Sequence, residues 1–468
     1  MLFSSLEFLY LFLPGALIIY FLSPRSAKNA VLLVLSVLFY ALGEPKYLPV
    51  LLFCALVGYL GALAMGGVGE HGAGARRTVL ILSVSLNVAA LVIFKYLDTA
   101  LTWLSVSPIG IFLPLGISFY VFQIISYLAD VYVGRAKPQK SMVKLFTYVT
   151  LFPQLVAGPI VKYGDVSEAL GSRRHTACGA AQGARLFCIG LSKKVLLANP
   201  AGEVWERIVS SPELYASTPS AWLGIIFFAF QIYFDFSGYS DMAIGLGRIF
   251  GFSFPENFNY PYISQSITEF WRRWHITLSS WFREYVYIPL GGNRRGRART
   301  YINLFAVWAL TGLWHGATFN FVLWGLYFFL LISLEKAVLG RALKRAPRML
   351  RHAYASFFVL CGWLIFAFDS SAEYLSAASG VKYFLRLFGV GARDAVGEEI
   401  YLLSGQLPFA LILALAATPL ARAAAKRISE RRPALASLLT NSLAIAALVL
   451  CTAYLVDSGY NPFLYFRF

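Results

Sequence analysis

The stretch Ala434-Leu-Ala-Ser-Leu-Leu-Thr-Asn-Ser-Leu-Ala-Ile-Ala-Ala-Leu-Val-Leu-Cys-Thr-Ala-Tyr-Leu-Val456 carries no charged side chain. A helix needs about 20 mostly apolar residues to cross the hydrocarbon core of a bilayer, and this stretch is long enough. Similar apolar runs lie at roughly 6–22, 29–42, 47–65, 78–97, 109–132, 352–368 and 399–418. The sequence therefore predicts an all-α polytopic membrane protein.

Composition excludes most other classes of protein. Hydrophobic residues make up 58% and charged residues 13% of the 468 residues, and the mean hydropathy is +0.65. Because soluble chains are about 25% charged, a cytosolic enzyme, a disordered chain and a secreted disulfide scaffold are excluded. No hydrophilic stretch is long enough for a soluble domain, so we predict one membrane domain over residues 1–468.

The formal net charge of +17 is explained by basic loops between the spans, and no nucleic-acid surface is indicated. Basic loops around residues 25–28, 76–77 and 135–140 alternate with the neutral loop at 43–46 and a weakly charged stretch around 98–108. Cytoplasmic loops carry the excess of Lys and Arg, which predicts an extracytoplasmic N-terminus. The same rule places the tail Asp457 to Phe468 outside.

One apolar stretch contains helix-breaking residues. Between positions 145 and 161 lie Pro153, Gly158 and Pro159. Non-helical backbone at membrane depth is tolerated only where protein or a water-filled cavity surrounds it. We therefore predict a broken or re-entrant segment here.

Polar residues interrupt the hydropathy pattern in three segments, and polar groups at membrane depth usually face a cavity. In the first segment, Gln231, Asp235 and Tyr239 are spaced i, i+4, i+8, so they line one stripe of a helix. Asp241 and Arg248 line another stripe. Hydrogen bonding between helices explains this segment as well as a catalytic role does. We therefore take the carboxylates of Asp235 and Asp241 as structural by default.

In the second segment, a helix is predicted to start at Ser266, because Ser266 and Glu269 have capping-box spacing. Glu269 and Arg273 add an i, i+4 ion pair. The pattern is typical of an interfacial amphipathic helix, in which one face carries His275 together with Trp271, Trp274, Leu278 and Trp281. On residue type alone, His275 is more often a satisfied core histidine than a functional one.

The third segment is Leu310-Thr-Gly-Leu-Trp-His-Gly-Ala-Thr-Phe-Asn320. The loop before it is basic as far as Arg299, and the chain returns to a basic loop by Arg341. We therefore predict a hairpin of 301–317 and 318–335 with His315 near its turn. Gly312 and Gly316 leave room beside the His315 ring, and a histidine can act as base or acid near neutral pH.

Motifs for other chemistry are missing from the sequence. There is no HExxH, no Walker A motif and no G-x-S-x-G. The five histidines, His71, His175, His275, His315 and His352, show no metal-ligand spacing. The sequence predicts no metal, no nucleotide site and no permanently bound cofactor.

Taken together, the motifs resemble the membrane-bound O-acyltransferase (MBOAT) family, and within it the bacterial alginate O-acetyltransferase-like branch. The resemblance extends over nearly the whole chain, including Pro114-Leu-Gly-Ile-Ser-Phe-Tyr120, Tyr233-Phe-Asp-Phe-Ser-Gly-Tyr-Ser-Asp-Met-Ala243, Glu269-Phe-Trp-Arg-Arg-Trp-His275, Tyr287-Ile-Pro-Leu-Gly-Gly-Asn-Arg294, Thr311-Gly-Leu-Trp-His-Gly316 and the ending Asn461-Pro-Phe-Leu-Tyr-Phe-Arg-Phe468. The resemblance implies a ring of roughly 11–13 transmembrane or re-entrant helices around a central cavity, with a catalytic core at roughly 110–335.

The resemblance also implies a function. An acetyl group would pass from a cytoplasmic thioester, acetyl-CoA, to an extracytoplasmic polysaccharide such as alginate. A periplasmic or surface partner would complete the O-acetylation, and the protein would be a multi-pass enzyme of the bacterial inner membrane. The invariant family histidine corresponds to His315, and His275 falls at the second signature position.

We expect His315 to act as the base that deprotonates the acceptor hydroxyl, a role that contributes roughly 10²–10⁴-fold. His275 would hold the donor carbonyl or steady the other ring. The candidate substrate-binding residues are Trp314, Trp271, Arg272, Arg273, Asp235, Tyr239, Asp241, Asn293 and Arg294.

Other functions remain open at the level of sequence. The acceptor could be peptidoglycan or another envelope glycan, or the donor could be a carrier protein, as in teichoic acid D-alanylation. A transporter or flippase would also place polar groups in broken helices. A scaffold for a separate acetyltransferase would leave both histidines dispensable.

Overall fold

In the computed structural model, residues 1–68, 72–370, 372–394, 397–457, 459–462 and 464 are described. Over these residues the chain is helical and contains no β-strand. The predicted all-α fold is therefore confirmed. His71 and the end of the C-terminal motif, residues 465–468, lie outside the described residues.

Contacts divide the chain into two units. The first unit comprises Met1–Gly190 and Tyr239–Glu256, and the second comprises Leu191–Gly238 and Asn257–Phe468. In chain order, the helices up to residue 192 are α1 (Leu13–Leu22), α2 (Lys28–Gly43), α3 (Leu48–Gly67), α4 (Ala73–Trp103), α5 (Ile117–Tyr132), α6 (Met142–Thr150), α7 (Phe152–Leu155), α8 (Tyr163–Gly171) and α9 (Ala177–Ser192).

The later helices belong mainly to the second unit, and the long helix α12 contributes residues to both units. They are α10 (Asn199–Ser210), α11 (Pro212–Tyr215), α12 (Thr218–Ile249), α13 (Ile267–Arg273), α14 (Ile276–Phe282), α15 (Gly296–His315), α16 (Phe319–Leu334), α17 (Gly340–Arg345), α18 (Arg348–Ala367), α19 (Ala377–Arg386), α20 (Gly397–Ala416), α21 (Leu420–Arg431) and α22 (Pro433–Asp457).

Seven helical segments among the described residues are long and apolar enough to cross a membrane: Pro45–Gly67, Ala73–Trp103, Thr218–Ile249, Phe319–Arg345, Arg348–Ala367, Glu399–Ala416 and Pro433–Asp457. Three shorter apolar helical segments occur at Phe8–Leu22, Lys28–Gly43 and Ile117–Tyr132. The protein is thus a multi-pass membrane protein. Helix α15, the first arm of the predicted hairpin, is not among the seven.

The broken segment predicted between 145 and 161 is confirmed. Helix α6 ends at Thr150, α7 is a single turn, and the buried residues after it have no regular structure. Side chains bond the backbone that the break leaves unpaired: Ser36 Oγ accepts the Phe152 N–H at 3.1 Å, and Tyr148 donates to the Val161 carbonyl at 2.9 Å. Such pairing makes irregular backbone tolerable inside a membrane protein.

The predicted span at 109–132 is helical only from Ile117. Gly116, just before the helix, has φ +72°, and a Cβ there would lie 2.2 Å from the Leu155 carbonyl oxygen. Glycine adopts positive φ without a steric cost and allows this backbone contact. The start of the helix is therefore set by a tight turn against α7.

The predicted hairpin at 301–335 corresponds to α15 and α16, whose backbones touch. A Cβ on Gly312 would lie 2.4 Å from the Phe321 carbonyl oxygen, and one on Gly325 would lie 2.5 Å from the Trp308 carbonyl oxygen. A Cβ on Gly316 would meet the Phe321 ring. The space that Gly312 and Gly316 leave is therefore filled by α16, and the expectation that it would admit another group beside His315 was wrong.

Candidate active site

Helix α13 begins at the predicted position. Ser266 is its N-cap and accepts the Glu269 N–H at 3.0 Å, and Glu269 pairs with Arg273 at 2.9 Å. A second carboxylate caps the same helix end, since Glu335 accepts the N–H groups of Ile267 at 2.6 Å and of Thr268 at 2.9 Å. Negative charge is stabilising at a helix N-terminus, so α13 is fixed at its start by two carboxylates.

The single amphipathic helix predicted after Ser266 was wrong, because the chain breaks between α13 and α14. Trp274 is extended, and His275 has left-handed backbone angles (φ +43°, ψ 55°). The preceding loop bonds to the break: the Asn259 N–H donates to the Arg273 carbonyl at 2.9 Å, and the Ile276 N–H donates to the Asn257 carbonyl at 3.0 Å. A non-glycine residue at positive φ is uncommon and concentrates at functional sites.

His275 is 1% exposed and is held by an asparagine. Its Nδ1 lies 3.0 Å from Oδ1 of Asn257, and the Phe236 ring meets the imidazole edge-on at 4.6 Å. The residue lies outside the seven apolar spans. Burial lowers the pKa of His275 to about 3, because a buried imidazole loses the hydration of its charged form. His275 is therefore neutral at physiological pH.

His315 is the last residue of α15 and is 4% exposed. Four aromatic side chains surround its ring, with centroids at 4.9 Å (Trp314), 4.9 Å (Trp324), 5.2 Å (Phe366) and 6.2 Å (Phe321). Removal of water in such a site strengthens the electrostatic interactions of the imidazole with a reacting group. The arrangement suits a group that takes and returns one proton.

Trp314 connects the two histidines, which are 40 positions apart in the sequence. Its ring centroid lies 6.1 Å from that of His275 and 4.9 Å from that of His315. The structure therefore brings together three of the predicted site residues, all in the second unit.

A cavity of about 670 Å³ lies in the second unit, within the size range of ligand pockets. Helices α13 and α15 contribute to its wall with Thr268, Arg272, Leu304 and Val307. Its basic lining residues are Arg272, Arg283, Lys336, Lys344 and Arg351. Its two carboxylates are those already engaged at the start of α13, namely Glu269 and Glu335. Positive charge therefore dominates the cavity.

Of the other predicted site residues in the second unit, some line the basic cavity and others do not. Arg272 and Asn293 line the cavity, and Asn293 Oδ1 accepts from Lys336 Nζ at 3.2 Å. Arg273 is paired with Glu269, and Arg294 is exposed and does not line the cavity. Trp271 packs in the core, with its ring centroid 4.9 Å from those of Trp308 and Phe328.

The remaining three predicted residues lie elsewhere. Asp235 is buried in an ion pair with Lys194, at 2.8 Å, which agrees with the structural reading of this carboxylate. Tyr239 and Asp241 belong to the first unit, where Tyr239 stacks on Phe3 at 4.6 Å. Lys194 was not among the predicted site residues, and its side chain is 2% exposed.

Sequence reasoning missed Asn257, Glu335, Lys336 and Lys194. Asn257 stands in the family-like string Pro255-Glu-Asn-Phe258, but its spacing to His275 signals no contact. Among the described residues, no group of three or more His, Cys, Asp or Glu side chains is placed to hold a metal ion.

Comparison with known proteins identifies related sequences. The sequence model of MBOAT, the membrane-bound O-acyltransferase family, matches residues 139–377. The chain is 42% identical over 376 residues to the probable alginate O-acetylase of Azotobacter vinelandii, covering 78% of this chain and 75% of that protein. It is 34% identical over 426 residues to the peptidoglycan O-acetyltransferase of Helicobacter pylori, covering 81% and 80%.

A more distant relative is the teichoic acid D-alanyltransferase of Bacillus subtilis. It is 29% identical over 233 residues, covering 47% of this chain and 58% of that protein. The family match includes Asn257, His275, His315 and the residues that line the basic cavity.

Proposed function

Because the chain belongs to the membrane-bound O-acyltransferase family and is an O-acyltransferase, we propose that it transfers acetyl from acetyl-CoA. The donor would enter from the cytoplasmic side of the bacterial inner membrane. The acceptor would be an extracytoplasmic polysaccharide such as alginate, and a periplasmic or surface partner would complete the transfer. The transporter and scaffold alternatives are set aside, since the family is one of enzymes.

The basic cavity is the observation that supports acetyl-CoA as the donor. Coenzyme A carries phosphates at one end and the acyl thioester at the other, so a phosphate site must be separated from the reacting groups. Val307 lines the cavity and lies eight residues before His315 on α15, which is about 12 Å at 1.5 Å per residue. Arg and Lys side chains bind phosphate through charge-assisted hydrogen bonds.

His315 would supply the base for the transfer. A ring nitrogen accepts the proton of the acceptor hydroxyl while its oxygen attacks the thioester carbonyl. Collapse of the tetrahedral intermediate breaks the C–S bond, and the protonated His315 returns the proton to the departing thiolate. The products are the O-acetyl ester and free coenzyme A, with no oxidant or metal required.

The acceptor is supported by the relatives. The alginate and peptidoglycan relatives described above cover 78% and 81% of this chain, and their names are those of O-acetylating enzymes; the alginate protein shares the higher identity. Transfer from a carrier protein receives weaker support, since the D-alanyltransferase match covers about half of the chain.

The proposed function is tested by following label. Purified protein in nanodiscs is given acetyl-CoA labelled in the acetyl group, together with alginate oligosaccharides and solubilised cell envelope. We expect free coenzyme A to be released and the label to appear as an ester on the polysaccharide. Release of label from an acetylated carrier protein but not from acetyl-CoA would reject the coenzyme A donor. Movement of unaltered acetyl-CoA or polysaccharide would reject the transferase.

A double variant of the cavity tests the donor site. Arg272→Gln with Lys336→Gln removes two cations from the lining. Hydrogen bonds to charged groups contribute about 1.5–3 kcal/mol each, so we expect the KM for acetyl-CoA to rise about 10-fold or more. Loss of binding that is equal in ground state and transition state leaves kcat nearly unchanged. Steady-state kinetics at fixed acceptor measures both.

Lys426→Gln is the matched control, because Lys426 lies on α21, has a side chain 77% exposed and does not line the cavity. It should leave the KM for acetyl-CoA unchanged. An unaltered KM in the double variant would exclude this cavity as the donor site.

A further inference from the structure

The buried contact between Asn257 and His275 fixes which ring nitrogen carries the proton. Three groups lie within hydrogen-bond distance of Asn257 Oδ1: His275 Nδ1 at 3.0 Å, the Thr277 N–H at 3.3 Å and the Thr277 hydroxyl at 2.9 Å. A backbone N–H can only donate, so the atom facing it is the amide oxygen. That oxygen can only accept, so Nδ1 of His275 must carry a hydrogen.

The protonation of Nδ1 determines what the opposite nitrogen can do. In a neutral imidazole one nitrogen is a donor and the other an acceptor. His275 is 1% exposed, as is Asn257, so solvent does not compete for this hydrogen bond. Nε2 therefore presents a lone pair, and it can accept a hydrogen bond but cannot donate one.

The geometry points to Asn257 as the positioning residue that makes His275 a hydrogen-bond acceptor toward the acceptor alcohol. This inference rests on the proposed function. Of the roles expected from the sequence, holding the donor carbonyl requires an N–H at Nε2 and is excluded for this tautomer. A sugar acceptor offers several hydroxyl groups, so His275 can accept from one of them while His315 deprotonates the attacking one.

The surroundings of His275 support a fixed neutral state. Three side chains from other elements are seen to contact its ring, namely Phe236 of α12, Trp314 of α15 and Asn257, and these three are uncharged. His315 contacts the same Trp314 ring, with centroids 4.9 Å apart. Burial lowers the pKa of His275 to about 3, so its neutral form persists throughout the physiological range.

Two variants of Asn257 test the inference. Asn257→Leu removes the acceptor oxygen at nearly constant size and releases the tautomer. With solubilised cell envelope present to supply the partner, we expect kcat/KM for alginate oligosaccharide to decrease about 10-fold, because a buried hydrogen bond is lost. The affinity for acetyl-CoA, measured by equilibrium binding, should stay within about twofold.

Asn257→Asp keeps the accepting oxygen but adds a negative charge beside Nδ1. An adjacent opposite charge favours the imidazolium, so the new carboxylate should raise the pKa of His275. The neutral form is the active one, so activity is retained above the new pKa and lost as the pH falls through it. The acid limb of the pH profile should therefore move to higher pH.

Asn87→Asp is the matched control, because Asn87 is a fully buried asparagine of α4 in the first unit. It introduces the same buried carboxyl group without contact to His275, and its pH profile should match that of the wild type. Melting temperatures of all variants separate loss of folding from loss of activity.

The tautomer is also measured directly by ¹⁵N spectra of histidine-labelled protein, with His275→Gln to assign the signal. A hydrogen on Nδ1 that is lost in Asn257→Leu supports the inference even if acetyl transfer itself is never observed. The tautomer measurement can therefore fail or succeed independently of the proposed function. A hydrogen on Nε2 in the wild type would overturn it. Unchanged kcat/KM for the acceptor in a folded Asn257→Leu variant would overturn it as well.

Discussion

His315→Ala is expected to lower kcat for acetyl transfer by about 10²–10⁴-fold, the range that general base catalysis contributes. The imidazole ends α15 inside an enclosure of four aromatic rings, so no solvent base can readily replace it. Because the base acts on the acceptor in the transition state, the affinity for acetyl-CoA should change little. Single-turnover transfer of labelled acetyl in nanodiscs measures kcat, and equilibrium binding measures the affinity.

Two further variants make this result interpretable. His315→Gln keeps a polar side chain of similar length but removes the base, and it should be as inactive as His315→Ala. His352→Ala replaces another histidine of the same unit, whose Nδ1 lies 3.1 Å from the Ser264 carbonyl oxygen outside the aromatic enclosure. It should retain activity within about twofold. Transfer at the wild-type rate in a folded His315→Ala variant would exclude His315 as the base.

The parts of the fold that periodicity and apolar length determine could be predicted from the sequence. The hairpin of α15 and α16 was predicted because the chain leaves a basic loop after Arg299 and is back in a basic loop by Arg341. The break after Thr150 was predicted because proline and glycine cannot continue a helix there. In both places the signal is carried by neighbouring residues, so local reasoning was sufficient.

The break at His275 could not be predicted in this way. Neither glycine nor proline marks it, and Trp274 and His275 both fit the apolar face of a continuous helix. The cause is a loop about 15 positions earlier, which bonds to the carbonyl of Arg273 and to the N–H of Ile276. A hydrogen-bond pattern between distant segments overrides local helix propensity.

The site itself was predicted unevenly for the same reason. The family-like strings named both histidines and Trp314, which the structure places together. Asn257 and Glu335 fix His275 and the start of α13 through contacts over long sequence separations, so no spacing rule reveals them. Lys194 was not singled out, because its buried partner Asp235 lies 41 positions later in the sequence.

Breaking the ion pair of Lys194 and Asp235 is expected to destabilise the second unit strongly. The two groups are 2.8 Å apart, and each side chain is 2% exposed. Removing one partner of a buried pair leaves an uncompensated charge, which costs about 3–5 kcal/mol. Lys194→Met and Asp235→Leu should each lower the melting temperature of the purified protein.

The pair also holds the C-terminal segment. Lys194 Nζ donates to Asn199 Oδ1 at 2.7 Å and to the Pro462 carbonyl, and Asp235 Oδ2 accepts the Leu464 N–H at 2.9 Å. Each single variant should therefore make the tail more accessible to carboxypeptidase. Lys426→Met is the matched control, since its pair with Glu430 is exposed and contributes only about 0.3–0.5 kcal/mol.

The double variant Lys194→Met with Asp235→Leu shows whether the single variants are unstable because one buried charge is left unpaired or because the tail loses its binding partners. Replacing both buried charges by apolar groups of similar volume is often neutral, so the double variant should regain most of the lost stability. Because Asp235 is followed on α12 by Phe236, whose ring packs against His275, acetyl transfer should recover with it. A double variant as unstable as either single one would show that the charges themselves, through the tail they bind, hold the second unit together.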